Sequence, residues 1–121
     1  MATFRYLVHH VDTSIAFYTR HLGFELVDQM GPAFAIVARG DLNLWLSGPQ
    51  TSAARPMPDG RQPAAGGWNR FVVEVDDIEA LVTSMKAAGV LFRNDVISGP
   101  GGKQILAEDP SGNPIEIFQP A

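Results

Sequence analysis

The stretch Arg70-Phe71-Val72-Val73-Glu74-Val75-Asp76-Asp77-Ile78-Glu79-Ala80-Leu81-Val82-Thr83-Ser84-Met85-Lys86-Ala87-Ala88-Gly89 decides the fold. Phe71, Val73 and Val75 alternate with Arg70, Val72 and Glu74, the period of a strand with one face covered. Asp76 then opens a helix, and Glu79 three residues on completes a capping box. Ile78, Leu81, Val82, Met85 and Ala88 recur at helical spacing and form one apolar stripe. Gly89 stops the helix. Three strands are expected after it, near residues 91–97, 104–108 and 114–118. Asp109-Pro110-Ser111-Gly112-Asn113 is a turn by composition. Ser98-Gly99-Pro100-Gly101-Gly102-Lys103 lacks the spacing of a phosphate-binding loop and leads into no helix, so it reads as a β-turn.

The same order stands upstream. Phe4, Tyr6 and Val8 share one face of a strand, and Thr3, Arg5 and Leu7 the other. Asp12, Thr13 and Ser14 offer helix caps, and Ile15, Tyr18 and Leu22 fall on one stripe before Gly23. Strands near residues 24–29, 33–38 and 42–47 are separated by Gly31-Pro32 and Gly40-Asp41. The chain therefore reads βαβββ twice. Val8 answers Val75, Gly23 answers Gly89, and Leu44-Trp45-Leu46 answers Ile115-Glu116-Ile117. Duplication is the simplest account. Residues 1–48 form module 1, residues 49–67 a linker and residues 68–121 module 2 of a single domain. Modules this small are expected to share one sheet system or to pair across a dimer. Residues 48–67 hold four prolines and four glycines, which suits a linker or a flap, with Met57 as an apolar contact in the second case.

Composition narrows the function classes. A chain of 121 residues is one ordinary domain, able to bury roughly two-thirds of the surface its unfolded form exposes. Hydrophobic residues at 45%, charged residues at 18% and a mean hydropathy of +0.02 exclude a solvated, disordered polyelectrolyte. Nine basic against 13 acidic residues give a net charge of −4, which argues against a grip on nucleic acid. No apolar run is long enough to span a bilayer, and the first residues lack the apolar stretch of a signal peptide. With no cysteine, disulfides, thiolate metal sites and cysteine nucleophiles are all excluded. The expectation is a cytoplasmic protein that binds neither nucleic acid nor membrane.

The paired modules resemble the vicinal oxygen chelate superfamily, which holds glyoxalase I, extradiol dioxygenases and the fosfomycin- and bleomycin-resistance proteins. Ser14-Ile15-Ala16-Phe17-Tyr18 followed by Leu22-Gly23-Phe24 resembles the family's first helix and its exit. Val75-Asp76-Asp77-Ile78-Glu79-Ala80 with Ala87-Ala88-Gly89-Val90 resembles its second. Glu108-Asp109-Pro110-Ser111-Gly112-Asn113-Pro114-Ile115-Glu116-Ile117 resembles its closing signature. The resemblance implies an α+β fold of curved mixed sheets with helices on the outer face. It is poor in chemical information, because the fold hosts lyases, oxygenases, transferases and passive binders.

In metal-bearing relatives, four inward side chains of the first and last strands hold the ion. The matching positions here are Thr3, Trp45, Arg70 and Glu116, of which only Glu116 is a good ligand. One carboxylate cannot hold a divalent ion against water, and a guanidinium would repel it. No metal and no other cofactor is therefore expected. The cleft would be lined instead by Arg5, Leu7, His9 and Trp45 from the first module and by Arg70, Glu74, Glu116 and Phe118 from the second. Aromatic walls with charged anchors suit a small molecule. The bleomycin-resistance branch is similarly free of metal ligands and binds in a cleft between subunits. The leading expectation is thus a metal-independent homodimer that sequesters a toxic aromatic or anionic compound, anchored by Arg5 and Arg70. The alternatives are a metal-dependent glyoxalase-type lyase or dioxygenase, and a metal-free isomerase or hydrolase with His9 or Glu74 as base. Arg70 and Glu116 also suit a simple ion pair, and His10 suits a helix cap.

Overall fold

The computed structural model describes residues 1–121, and its strand pairings follow from where the helices interrupt the chain. Two compact units are present: Met1–Gly66 with Pro110–Gly112, and Gly67–Asp109 with Asn113–Ala121.

In the first unit, β1 (Ala2–Leu7) is followed by α1 (Val11–His21), then β2 (Glu25–Met30), β3 (Phe34–Arg39) and β4 (Leu42–Ser47). The last three strands form two hairpins, turning at Gly31 and Gly40, both at positive φ. The helix carries the chain across the sheet, so β1 pairs in parallel with β4 and the order is β1-β4-β3-β2. Register sets Arg5 beside Trp45 and Leu7 beside Ser47. Tyr6, Val8, Ala35, Val37, Leu44 and Leu46 are buried on one face of the sheet. The helix packs on β2, β3 and β4, where Tyr18 meets Phe17 and Phe24 edge to face at 5.1 and 5.4 Å. Burying a side chain of the Leu44 class contributes about 1.5–3 kcal/mol.

The helix starts earlier than Asp12-Thr13-Ser14 suggested. Val11 is its first residue and is buried with Ser14, Phe17 and Tyr18, whereas Ile15 is only half-buried. Ser14 Oγ donates back to the His10 carbonyl at 2.9 Å and so caps nothing. His10 occupies the N-cap position, but its side chain makes no capping bond.

The second unit repeats the plan with β5 (Val72–Glu74), α2 (Ile78–Ala87), β6 (Ile97–Gly99), β7 (Gly102–Glu108) and β8 (Pro114–Pro120), in the order β5-β8-β7-β6. Val73, Ile105, Ala107, Ile115 and Ile117 are buried, as are Ile78, Val82 and Met85 of the helix. The cap is Asp77 rather than Asp76: its carboxylate accepts from the Ala80 N–H at 3.1 Å. The first N–H of the helix, that of Ile78, is taken by Gln119 Oε1 at 2.8 Å.

In place of the strand expected at residues 91–97 stands an irregular segment, tied to β7 by two backbone bonds, from the Arg93 N–H to the Leu106 carbonyl and from the Glu108 N–H to the Leu91 carbonyl, each 2.9 Å, and by side chains. Phe92 makes a single bridge to Ala107. Asn94 Oδ1 accepts from the Leu106 N–H at 2.9 Å, and Arg93 Nε donates to Glu108 Oε2 at 2.8 Å. Regular pairing begins only at Ile97, which closes a hairpin onto β7 through the turn expected at residues 98–103. Gly102, at φ +142°, lies so close to the Gln119 carbonyl that no Cβ could fit. No helix is long and apolar enough to cross a membrane.

Residues 48–67 are folded. The Gly48 N–H donates to the Ala33 carbonyl at 2.8 Å, and a short 3-10 turn follows at Ser52–Ala54. Residues 57–61 close on themselves, with the Met57 N–H on the Arg61 carbonyl at 2.8 Å and Arg61 Nε on Asp59 Oδ2 at 2.7 Å. Met57 is 46% exposed.

Candidate functional site

Period two in the first sheet gathers Arg5 and Leu7 of β1, Trp45 and Ser47 of β4 and Phe34 of β3 on the face opposite the apolar layer. Parallel register brings the Arg5 guanidinium over the Trp45 ring, 5.0 Å from its centroid. The Phe34 ring meets Trp45 edge-on at 5.9 Å. Arg5 Nη1 also reaches Ser47 Oγ at 3.4 Å. A cation over a half-exposed indole contributes about 0.5–1 kcal/mol, so Arg5 and Trp45 hold each other in place.

A cavity of about 470 Å³ opens where β1 and β4 end. Leu7, Val8, Pro49 and Ala54 supply apolar wall, and residues 63–65 add a proline and two alanines. His9, Ser47, Gln62 and Ser111 supply its polar groups. The His9 N–H donates to Ser111 Oγ at 2.9 Å, which fixes the serine at the rim. Leu7 and His9 were expected in a site and line this cavity. The contribution of residues 62–65 and of Ser111 was not foreseen. Met57, expected as the apolar contact of a flap, does not line it.

In the second unit, Arg70 Nε and Nη2 both donate to Glu116 Oε1, at 3.2 and 2.9 Å. A third bond runs from Arg70 Nη1 to the Trp68 carbonyl at 3.2 Å. Glu74 lies beside Phe118 in the β5–β8 register, and Val72 beside Glu116. Arg70 thus engages the Glu116 carboxylate. The Arg93 guanidinium lies 4.5 Å from the Trp68 ring centroid, an arrangement with no signal in the local sequence.

The eight expected residues therefore form local groups. Arg5 sits with Trp45, Leu7 and His9 line the cavity, Arg70 sits with Glu116, and Glu74 neighbours Phe118.

The donor set does not fit a divalent metal. Thr3 and Trp45 offer no strong ligand, and Glu116 is held by Arg70. No cluster of three or more His, Asp or Glu side chains is placed to hold an ion.

Residues 1–117 match the family described as the Glyoxalase/Bleomycin resistance protein/Dioxygenase superfamily. Among solved structures, TnmS3, an antibiotic binding protein from Streptomyces sp. CB03234, is 26% identical with a TM-score of 0.74, covering 98% of this chain and 93% of that one. Lactoylglutathione lyase from Agrobacterium tumefaciens is 22% identical with a TM-score of 0.76, covering 98% and 92%. The fosfomycin resistance protein FosX from Listeria monocytogenes is 12% identical with a TM-score of 0.75, covering 100% and 93%. Comparison with curated proteins gives no match.

Proposed function

We propose, given that this chain belongs to the Glyoxalase/Bleomycin resistance protein/Dioxygenase superfamily, that it is a metal-independent small-molecule-binding protein acting by sequestration. The observation that carries this reading is the cavity of about 470 Å³, whose wall mixes apolar side chains with hydroxyl, amide and imidazole groups. Small-molecule sites have this composition, and roughly 300–1,000 Å³ is their usual size. The donor set supports the same reading, since a chelating enzyme needs three or four ligands and this chain assembles none. Similarity to an antibiotic binding protein supports an antibiotic-like compound as the cargo. The protein is proposed to act in the cytoplasm as a homodimer.

A ligand that binds only the folded chain raises its stability by RT ln(1 + [L]/Kd), about 2.7 kcal/mol at a hundredfold excess over Kd. A thermal-shift screen against aromatic antibiotics and their glycosylated forms should therefore find at least one class that raises Tm by several degrees, without added metal. A flat screen, together with turnover of a hemithioacetal or a catechol on adding Ni²⁺, Zn²⁺ or Fe²⁺, would replace sequestration with chelate chemistry.

A further inference from the structure

We propose that the cavity at the ends of β1 and β4 selects an uncharged ligand, with Gln62 as the residue that reads its polar group. The inference rests on the small-molecule reading above and sharpens it. Sequence reasoning placed charge at the centre of recognition, through Arg5 and Arg70. The geometry points elsewhere. Arg5 lies over Trp45 and reaches the cavity only through Ser47 Oγ. Arg70 is bound by two nitrogens to one oxygen of Glu116. The cavity wall contains no Asp, Glu, Lys or Arg. An ion entering such a wall would lose hydration and meet no fixed opposite charge, whereas an amide or hydroxyl needs only a neutral partner.

His9 is the one titratable side chain of the wall, and the hydroxyl and amide partners are Ser47, Ser111 and Gln62. Ser47 already receives Arg5, and Ser111 receives the His9 N–H. Gln62 is exposed at the opening and carries a donor and an acceptor on one planar group. Its position is set from the N-terminal side by the self-closed turn of residues 57–61, in which the Gly60 N–H also donates to the Met57 carbonyl at 2.9 Å. That turn delivers Gln62 and the following Pro63 to the wall in a defined backbone path. The segment read as a linker is thus the part of the cavity best placed to decide which ligand enters.

The test is an NMR titration of the ¹⁵N-labelled full chain with two matched probes, 2-naphthamide and 2-naphthoate, at one pH and ionic strength. Naphthamide should bind about tenfold more tightly or better, with shifts centred on Val8, His9, Gly48 and Ala65. Ala64→Trp, which fills the cavity from an exposed wall position, should abolish this binding. Ala54→Phe serves as a second filling variant should the first misfold. Gln62→Leu should cut the preference for the amide about three- to tenfold, the worth of one neutral hydrogen bond. Naphthoate binding as tightly as naphthamide, with shifts at Arg5 and Trp45, would overturn the selectivity and leave sequestration standing. Binding of either probe that survives both filling variants would overturn the cavity as the site. Failure of both probes to millimolar concentration would overturn this inference, while the antibiotic screen separately judges the broader reading.

Discussion

Arg70 is the residue on which the two readings of this chain separate. Its side chain is 31% exposed and its partner Glu116 only 14%. Arg70→Ala leaves a largely covered carboxylate without its cation and should cost about 1–2 kcal/mol, seen as a Tm lowered by several degrees. Glu116→Leu added to it removes the orphaned charge and should recover much of the loss. A double variant no more stable than Arg70→Ala would contradict the ion pair. This pairing was legible in the sequence because Arg70 continues the Phe71-Val73-Val75 alternation just ahead of β5 and Glu116 lies on β8, so period two sets them on one face. Ser111 was not legible as part of the cavity. A serine in an Asp-Pro-Ser-Gly-Asn turn carries the same local signal whether or not a distant histidine N–H lies opposite it. The same holds for Trp68, whose position against Arg93 comes from tertiary structure alone.

Among the elements, helix α2 tests how finely a boundary can be read. Asp76 and Asp77 are adjacent acids, and a capping-box pattern favours the first. The carboxylate bond to the Ala80 N–H belongs to the second. Asp77→Ala should cost about 1 kcal/mol, while Asp76→Ala stays within about 0.5 kcal/mol, both measurable by urea melts. Equal costs would mean that the cap is shared. Gly102 sets a harder limit on β7, since an added Cβ would collide with the backbone of β8 at Gln119. Gly102→Ala should destabilise by about 2–4 kcal/mol and loosen the β6–β7 hairpin, read as faster amide exchange at Lys103 and Gln104. Helices and hairpins were readable because their apolar periods and glycine stops are local. At residues 91–97 strand propensity was read correctly only in part: residues 91–93 make one bridge and two backbone bonds to β7, but from Asn94 on a side chain takes the β7 N–H and breaks the ladder until Ile97. Residues 48–67 gave no period at all, and prolines, glycines and alanines do not announce which wall they will form.

For the whole molecule, the repeat was the most legible feature, because duplication writes the same spacing of strand, helix and glycine twice. Its chemistry is read from the sequence only by elimination, from the weak donors at Thr3, Trp45 and Arg70. Native mass spectrometry of protein purified without chelator or metal-affinity resin checks that reading. The expected species is a dimer of the 13.1 kDa chain with no stoichiometric metal; a bound ion would restore the chelate enzyme. The identical orders β1-β4-β3-β2 and β5-β8-β7-β6 have a further consequence, which lies in time. In each unit the first strand made is the last to find its neighbour, because its parallel partner is the fourth. On the ribosome, β1 must wait for residues 42–47, and β5 must wait for residues 114–120. The first sheet can close while synthesis continues, but the second has a hole at its centre until β8 emerges. A pause or a truncation late in translation would therefore release a chain with one finished sheet and two open strand edges in the other, the form most exposed to aggregation and proteolysis.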